Sequence, residues 1–356
     1  MKQTEHLSPP SIEEPPVHGG SLLLLPNRNS VTLKDVARVA GVSPITVSRA
    51  IHRPELVKPH TVEAVQRAVR VTGYIPNQLA GALTGRKTRL IAAIVPQISN
   101  SIFVETIQAL SDRLWRANYQ LLLGLSGYYN AREEELMSAI LSRRPDGIVL
   151  TGIRHTPEIR QKILSTGAPV VEIWDQSLSP IDMVVGFSHE KVGEAMATHL
   201  LERGYRNIAI LWLDDDRSTR RRMAFNEKLQ SHGVTAVATV LSASPATLQH
   251  GREGLAELLA QGYKFDAIAC GSDPLAHGVL TESLARGIHI PDQLGVIGFG
   301  DFDFAAHTHP ALTTVKVDRR AIGELAADAL LQKIAGKEPK QRIVDVGFQV
   351  VVRATT

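Results

Sequence analysis

Within three residues, Gly41-Val42-Ser43, the chain stops one helix and starts the next, and no other feature restricts its fold so tightly. Thr32-Leu33-Lys34-Asp35 opens the first helix as a capping box, with Asp35, a weaker choice than Glu, facing the exposed amides. Leu33, Val36, Ala37 and Ala40 then share one helical face, and Gly41 takes the left-handed conformation that ends the helix. Ser43 caps a second helix with Pro44 at its first position, where a missing N–H costs nothing; Val47 and Ile51 point inward. Pro59 opens a third helix, which runs to about Thr72 and stops at Gly73, although Lys58 is a poor N-cap.

Two short helices joined by so tight a turn form a helix-turn-helix, whose second helix enters a DNA major groove by its N-terminal end. Its outward residues are Ser43, Pro44, Ile45, Thr46, Ser48 and Arg49. The hydroxyls and the arginine suit phosphates or base edges, whereas Pro44 and Ile45 suit thymine methyls or sugars. Periodicity alone fits a three-helix scaffold with a solvated face equally well. Charge adds weight: residues 31–87 carry nine Lys/Arg against Asp35, Glu55 and Glu63, a net +6, while residues 1–30 sum to −1 and the rest to −2. A basic module ahead of a near-neutral body is expected where only the first part meets polyphosphate. After Gly73-Tyr-Ile-Pro-Asn77 comes a short helix-compatible piece, Gln78–Thr84, bracketed by Pro76 and Gly85. It is too short to be stable alone, but DNA can template it, and an exposed leucine can then wedge between minor-groove base steps.

Residues 1–30 hold Pro9-Pro10, Pro15-Pro16 and Gly19-Gly20 with no apolar repeat, and are expected to form a disordered arm. Leu22–Leu25 is far shorter than a signal-peptide core or a membrane span, so a cytoplasmic protein with no membrane partner is expected. The single cysteine, Cys270, excludes an internal disulfide and a cysteine-based metal site. With 356 residues the chain exceeds one core, and at least two folding units are expected.

From Arg89 onward short apolar runs alternate with helical patterns. Leu90–Val95, Leu121–Leu125, Gly147–Leu150, Val170–Ile173 and Met183–Val185 are five expected strands, with helices over Phe103–Asn118 and Ala131–Arg143 among the segments between them. Ile208–Trp212, Val237–Leu241, Ala267–Cys270 and Val296–Phe299 form a second set. Repeated β-α order predicts two Rossmann-like lobes with parallel sheets and a ligand cleft at the strands' carboxyl ends. The body contains no P-loop, His-Glu-x-x-His or Gly-x-Ser-x-Gly motif, and Gly298-Phe-Gly300 lacks the third glycine of a dinucleotide fingerprint. His307-Thr-His309 reads as surface histidines and Asp214–Asp216 as a solvated acidic loop; no catalysis, metal or cofactor is expected. Strand ends instead carry Trp174-Asp175, Ser272-Asp273 and Gly300-Asp301, with Arg217, Arg220, Arg221 and Arg222 after another strand. These groups suit a polyol acid, and each suits a structural role equally well.

The run Val31–Arg49, then Gly73-Tyr-Ile-Pro-Asn77 and Leu83, resembles the LacI/GalR repressor family, and the resemblance continues through nearly all of residues 31–353. It implies an all-α helix-turn-helix domain (31–75), a hinge helix and linker (76–87), and a periplasmic-binding-protein-like α/β body (88–356). The body's lobes are expected at about 88–188 plus 317–345 and 189–316 plus 346–356. By the resemblance, Pro44 and Ile45 read the operator; Thr46, Ser48, Arg49 and Asn77 match its other DNA contacts, and Leu83 its intercalating lever. Thr32, Lys58, Thr61 and Ala80 complete the expected DNA-contacting set. Asp175 falls on the family's sugar-binding aspartate, Arg221 on its effector arginine and Phe103 on its aromatic wall, in a stretch Asn100-Ser-Ile-Phe103 like the family's Asn-Pro-Phe-Phe. Trp174, Arg217, Asp273 and Asp301 complete the effector set, although Gly298-Phe-Gly300 replaces the family's Gly-Tyr-Asp and moves Asp301 one position late. His155-Thr-Pro157, Val170–Asp175 and Ile181–Phe187 resemble gluconate-operon repressors most. The expectation is a regulator that binds double-stranded operator DNA and a gluconate-like sugar acid. With no leucine-heptad tail, the resemblance implies a homodimer. A different sugar or nucleobase effector, a sugar-binding receptor and a sugar-acid enzyme are the alternatives.

Overall fold

Capping residues set most of the helix boundaries in the N-terminal unit. In the computed structural model, which describes residues 31–75, 87–99, 102–127 and 130–356, these helices are α1 (Leu33–Ala40), α2 (Pro44–His52) and α3 (Pro59–Thr72). The expected arm and all but the last residue of the expected hinge, with Asn77, Ala80 and Leu83, lie outside the described residues, as does Asn100. Asp35 accepts the Thr32 N–H at 2.9 Å and the Thr32 hydroxyl at 2.7 Å. The Asp35 amide goes to the Thr32 carbonyl at 3.0 Å, so the carboxylate holds this start of α1 together. Gly41 and Gly73 end α1 and α3 at φ 68° and 67°, and the Ser43 hydroxyl accepts the Thr46 N–H at 3.2 Å. The core is Val36, Ala37, Val47, Ala50, Val65 and Ala68. Ala50, three residues after Val47, is the second buried residue of α2; the expected Ile51 packs at the margin.

The described residues divide near position 77 into this unit and a second that runs to Thr356. In the second unit, β1 (Leu90–Val95), α4 (Val104–Arg116), β2 (Gln120–Leu125), α5 (Asn130–Leu141), β3 (Gly147–Thr151), α6 (Pro157–Thr166), β4 (Val170–Ile173) and β5 (Met183–Gly186) alternate as expected. There follow α7 (His189–Glu202), β6 (Ile208–Leu213), α8 (Asp216–Gln230), β7 (Ala238–Ser242), α9 (Leu248–Ala260), β8 (Ala267–Cys270), α10 (Asp273–Ala285) and β9 (Gly295–Phe299). The chain closes with β10 (Thr313–Lys316), α11 (Arg319–Ile334), β11 (Ile343–Asp345) and β12 (Gln349–Val351). Two six-stranded sheets result, ordered β11-β5-β4-β3-β1-β2 and β12-β10-β9-β8-β6-β7. All pairings are parallel but one: β12 runs antiparallel to β10, a departure from the all-parallel expectation. Strands such as Ile208–Leu213 are buried at every residue, as helices on both faces require.

The chain passes between the sheets three times, through Phe187-Ser188, Val317-Asp318 and Val346–Phe348. Phe187 and Val317 belong to one core cluster with Val346 packed against it, and the Val346 N–H donates to the Gly186 carbonyl at 2.8 Å.

Helix α7 touches α8 backbone to backbone. A Cβ on Gly193 would lie 2.0 Å from the Arg221 carbonyl oxygen, so only glycine lets the helices come this close. Alanine would gain about 1 kcal/mol in helix propensity but incur about 1–3 kcal/mol of overpacking against rigid backbone. Gly193→Ala is therefore expected to unfold several degrees below wild type in thermal melts, since each kcal/mol is worth roughly 2–4 °C at this size. An unchanged melting temperature would show that the two helices are free to part.

Candidate effector cleft and nucleic-acid interface

The carboxyl ends of β1, β3, β4, β6, β8 and β9 converge on two adjoining cavities that share Asp215 and Arg217. One, of about 320 Å³, is polar and lined by Ser126, Glu133, Thr151, Arg154, Asp175 and Asp214–Asp216. The other, of about 80 Å³, has aromatic walls of Phe103, Trp174, Phe299 and Phe302 over His189, Ser272 and Arg221. Phe103 meets Trp174 edge-on at 5.2 Å, and Trp174 meets Phe187 at 5.8 Å. Trp174 is buried at φ 66°, a left-handed backbone that a bulky residue adopts only under constraint, and its indole N–H donates to the Thr106 hydroxyl at 3.1 Å.

Arg221 is 4% exposed and, among the described residues, pairs with no carboxylate. Its Nη2 donates to the Gly271 carbonyl at 3.0 Å and the Ser218 hydroxyl at 3.2 Å, Nη1 to His189 Nδ1 at 2.9 Å, and Nε has no partner. The guanidinium stacks on Phe299 at 4.0 Å. Burial pushes it down to about 10, so it stays cationic at neutral pH. His189 Nε2 lies 3.0 Å from the Trp174 carbonyl, which can only accept, so this nitrogen carries the proton and Nδ1 receives Arg221. Burial, reinforced by the three nearby arginines, holds His189 well below the usual imidazole range, in keeping with this neutral tautomer. Arg217 lies over the Phe103 ring at 5.4 Å and likewise has no carboxylate partner among the described residues. The Asp215 carboxylate favours the charged form of Arg221 from nearby but does not pair with it, and a buried cation without a direct partner costs several kcal/mol, which an anionic ligand in the cleft would offset.

Asp175 is buried too, but Arg220 occupies it in an ion pair, and Arg220 also reaches Glu190 at 3.0 Å. Burial raises the Asp175 carboxyl above its ordinary value against the pull of Arg220. Arg154 pairs with Asp216 at 2.6 Å. Phe103, Trp174, Asp175, Arg217 and Arg221 are thus brought together as expected. Asp273 and Asp301 are not. Asp273 is fully buried, accepting the Phe302 N–H at 2.9 Å and the Thr314 hydroxyl at 2.5 Å, and so fixes the loop after β9. Asp301, displaced by the extra glycine, pairs with Arg353 at 2.7 Å. Residues not foreseen are His189, Phe299 and Phe302, and Arg220, expected only as one of a run of arginines, meets Asp175. His189 follows the Ser188 cap in Phe187-Ser-His-Glu190, and that adjacency was its one sequence signal.

In the N-terminal unit Ser43, Pro44, Ile45 and Arg49 are exposed, Ile45 at 65%, while Thr46 and Ser48 are half-buried. The Ser43 and Thr46 hydroxyls lie 2.9 Å apart and bond one another. Thr32 is exposed at the start of α1. Lys58 is exposed and Thr61 half-buried at the start of α3, whose first-turn amides have no side-chain cap.

Residues 32–77 match bacterial regulatory proteins of the lacI family, and residues 197–356 match a periplasmic binding protein-like domain. This is the class of protein that couples a DNA-reading head to a two-lobed binding body. The HTH-type transcriptional regulator GntR of Pseudomonas aeruginosa is 36% identical over 327 residues, 91% of this chain and 95% of that protein. A LacI-family transcriptional regulator from Silicibacter pomeroyi superposes with a TM-score of 0.87 at 31% identity, over 91% of this chain and 99% of that one. The lac repressor dimer bound to operator and the anti-inducer ONPF shares the fold, with a TM-score of 0.76 at 24% identity over 92% and 99% of the two chains. The chain belongs to the lacI family and is a DNA-binding transcriptional regulator.

Burial pushes the Asp273 carboxyl up to about 7. Because this folded-state value lies above the unfolded one, near 4, its contribution to stability is fully present below pH ~4 and is lost as pH rises to about 7. Urea unfolding of Asp273→Asn and wild type between pH 5 and 8 should therefore show the difference shifting in favour of Asn as pH rises. A difference independent of pH would mean that Asp273 ionises normally.

Proposed function

We propose that the protein is a cytoplasmic, homodimeric repressor released from its operator by gluconate or a closely related sugar acid. The observation that carries the effector class is Arg221, a buried cation without a carboxylate partner, facing a cleft with Arg217 at its rim. A carboxylate supplies the missing charge, and Nε of Arg221 is the donor that has no partner. The adjoining polar cavity, with Ser126, Thr151 and the Asp214–Asp216 loop, offers acceptors and donors for a hydroxylated tail. Asp175 enters this reading through its pair with Arg220 rather than as a free acceptor.

On the DNA side, exposed Pro44 and Ile45 at the start of α2 are the base-reading pair, with Arg49 and the hydroxyls of Ser43, Thr46 and Ser48 beside them. The start of α3, without a side-chain cap, makes sense of Lys58: its ammonium receives a phosphate there, with Thr61 and Thr32 alongside. The effector favours the conformation with low DNA affinity, and by linkage operator DNA weakens effector binding equally. Cytoplasmic residence accords with the absence, among the described residues, of any helix long and apolar enough to cross a membrane. The dimer follows the arrangement of the lac repressor on its operator.

Calorimetric titration with gluconate, ketogluconates, 6-phosphogluconate and neutral glucitol tests the effector class. An acid should bind at least about tenfold more tightly than glucitol, roughly the 1.4 kcal/mol that one charge-assisted contact is worth. Arg221→Ala should remove that preference while leaving DNA binding intact; equal binding of acid and polyol by wild type would refute the reading. Replacing Ile45 should change the preferred duplex in a selection from randomised DNA more than it changes non-specific affinity. Uniform weakening across sequences would count against base readout.

A further inference from the structure

The chain's path into the second unit is held at two places. The Thr88 and Arg89 amides both donate to the Asp146 carboxylate at 2.9 Å. Just before them, the Lys87 ammonium donates to the carbonyl of Ile334 at 2.8 Å. Ile334 is the last residue of α11, where the helix presents unpaired carbonyls and partial negative charge, so a lysine is well matched to it.

The other end of α11 reaches the cleft. Arg319, its first residue, pairs with Glu105 at 2.7 Å on α4, the helix that Phe103 precedes. Its Nη1 and Nη2 donate to the Gly300 and Asp301 carbonyls at 2.8 and 3.3 Å, and its guanidinium lies 5.5 Å from the centre of the Phe302 ring. The Arg319 carbonyl accepts the Thr106 hydroxyl at 2.8 Å, the same hydroxyl that receives the Trp174 indole. One residue is therefore bonded to segments that carry three of the four aromatic cleft walls. Arg319 heads a helix packed on the first sheet, yet the carbonyls it holds follow β9 of the second. Any displacement of Phe302, or of one lobe against the other, bears directly on the first turn of α11.

Between these ends the helix is stiff. It is sixteen residues long, roughly 24 Å, and lies against α4 so closely that a Cβ on Gly323 would be 2.2 Å from the Thr106 carbonyl. We infer that α11 is a strut that transmits movement of the cleft walls to the linker, with Arg319 and Lys87 as the positioning residues at its two ends. Bonded contact at both ends of one rigid element is what coupling between distant sites requires. The inference rests on the cleft being the effector site, so one arm of its test uses no ligand.

Lys87→Met removes the linker contact at an exposed position and should leave both folding and gluconate affinity as in wild type. A duplex enriched on the wild-type protein from randomised DNA supplies the DNA probe. Gluconate should lower wild-type affinity for that duplex by at least about fivefold, within the usual range of such couplings. In Lys87→Met the reduction should shrink to less than about twofold. In the ligand-free arm, hydrogen exchange at residues 87–90 should quicken in Arg319→Gln relative to wild type, and less so in Arg319→Lys, which keeps the Glu105 pair. Undiminished coupling in Lys87→Met, or unchanged exchange at residues 87–90 in Arg319→Gln, overturns the strut. Should wild type bind no gluconate, the effector reading fails and the exchange arm alone decides the strut.

Discussion

A guanidinium buried without a carboxylate is the constraint around which the second unit is arranged. Arg221 is held there by three polar groups turned to receive it: the Gly271 carbonyl, the Ser218 hydroxyl and the unprotonated face of His189. The Phe299 ring supports it from one side. These neutral partners satisfy hydrogen bonds but supply no charge, and the Asp215 carboxylate acts on the guanidinium only from a distance, without pairing with it. The close approach of α7 and α8 at Gly193 serves the same end, since it brings the His189 and Arg221 helices to one spacing.

The neighbouring charges follow a different rule. Asp175 with Arg220, Arg154 with Asp216 and Asp301 with Arg353 are each neutralised by protein. Within the cleft, Arg217 and Arg221 are left without a direct carboxylate partner, and Asp214 and Asp215 without a cationic one, among the described residues. Selectivity in such a site comes from the unsatisfied members, because a ligand of the wrong charge must break a pair while one of the right charge completes a deficit.

Much of this was legible in the chain. The Gly41, Ser43-Pro44 and Gly73 boundaries depend on residues within one turn, and so could be placed to the residue. The buried strands from β1 to β9 stood out as apolar runs, off by a residue or so at their ends; β10, buried but opening with Thr313-Thr314, did not. The short edges β11 and β12 did not: they are three residues long and partly exposed, and only their neighbours define them. Gathering Phe103, Trp174, Asp175, Arg217 and Arg221 was within reach of family resemblance. Their partners were not, since Arg220 and Arg221 are adjacent in sequence and only the helix direction decides which meets a carboxylate. Asp273 and Asp301 carry the right chemistry at strand ends, but Thr314, the Phe302 amide and Arg353, all distant in sequence from at least one of them, claim both carboxylates.

The three crossings between the sheets have a mechanical consequence. A single tether would let two lobes swivel, slide and tilt independently. Three short ones, packed in one core and bonded through Val346 and Gly186, leave essentially one soft coordinate, a rotation about the line they share. Ligand binding free energy then has nowhere to disperse. Whatever the cleft gains on closing is delivered along that single rotation, which lets a molecule much smaller than the lobes determine how they stand.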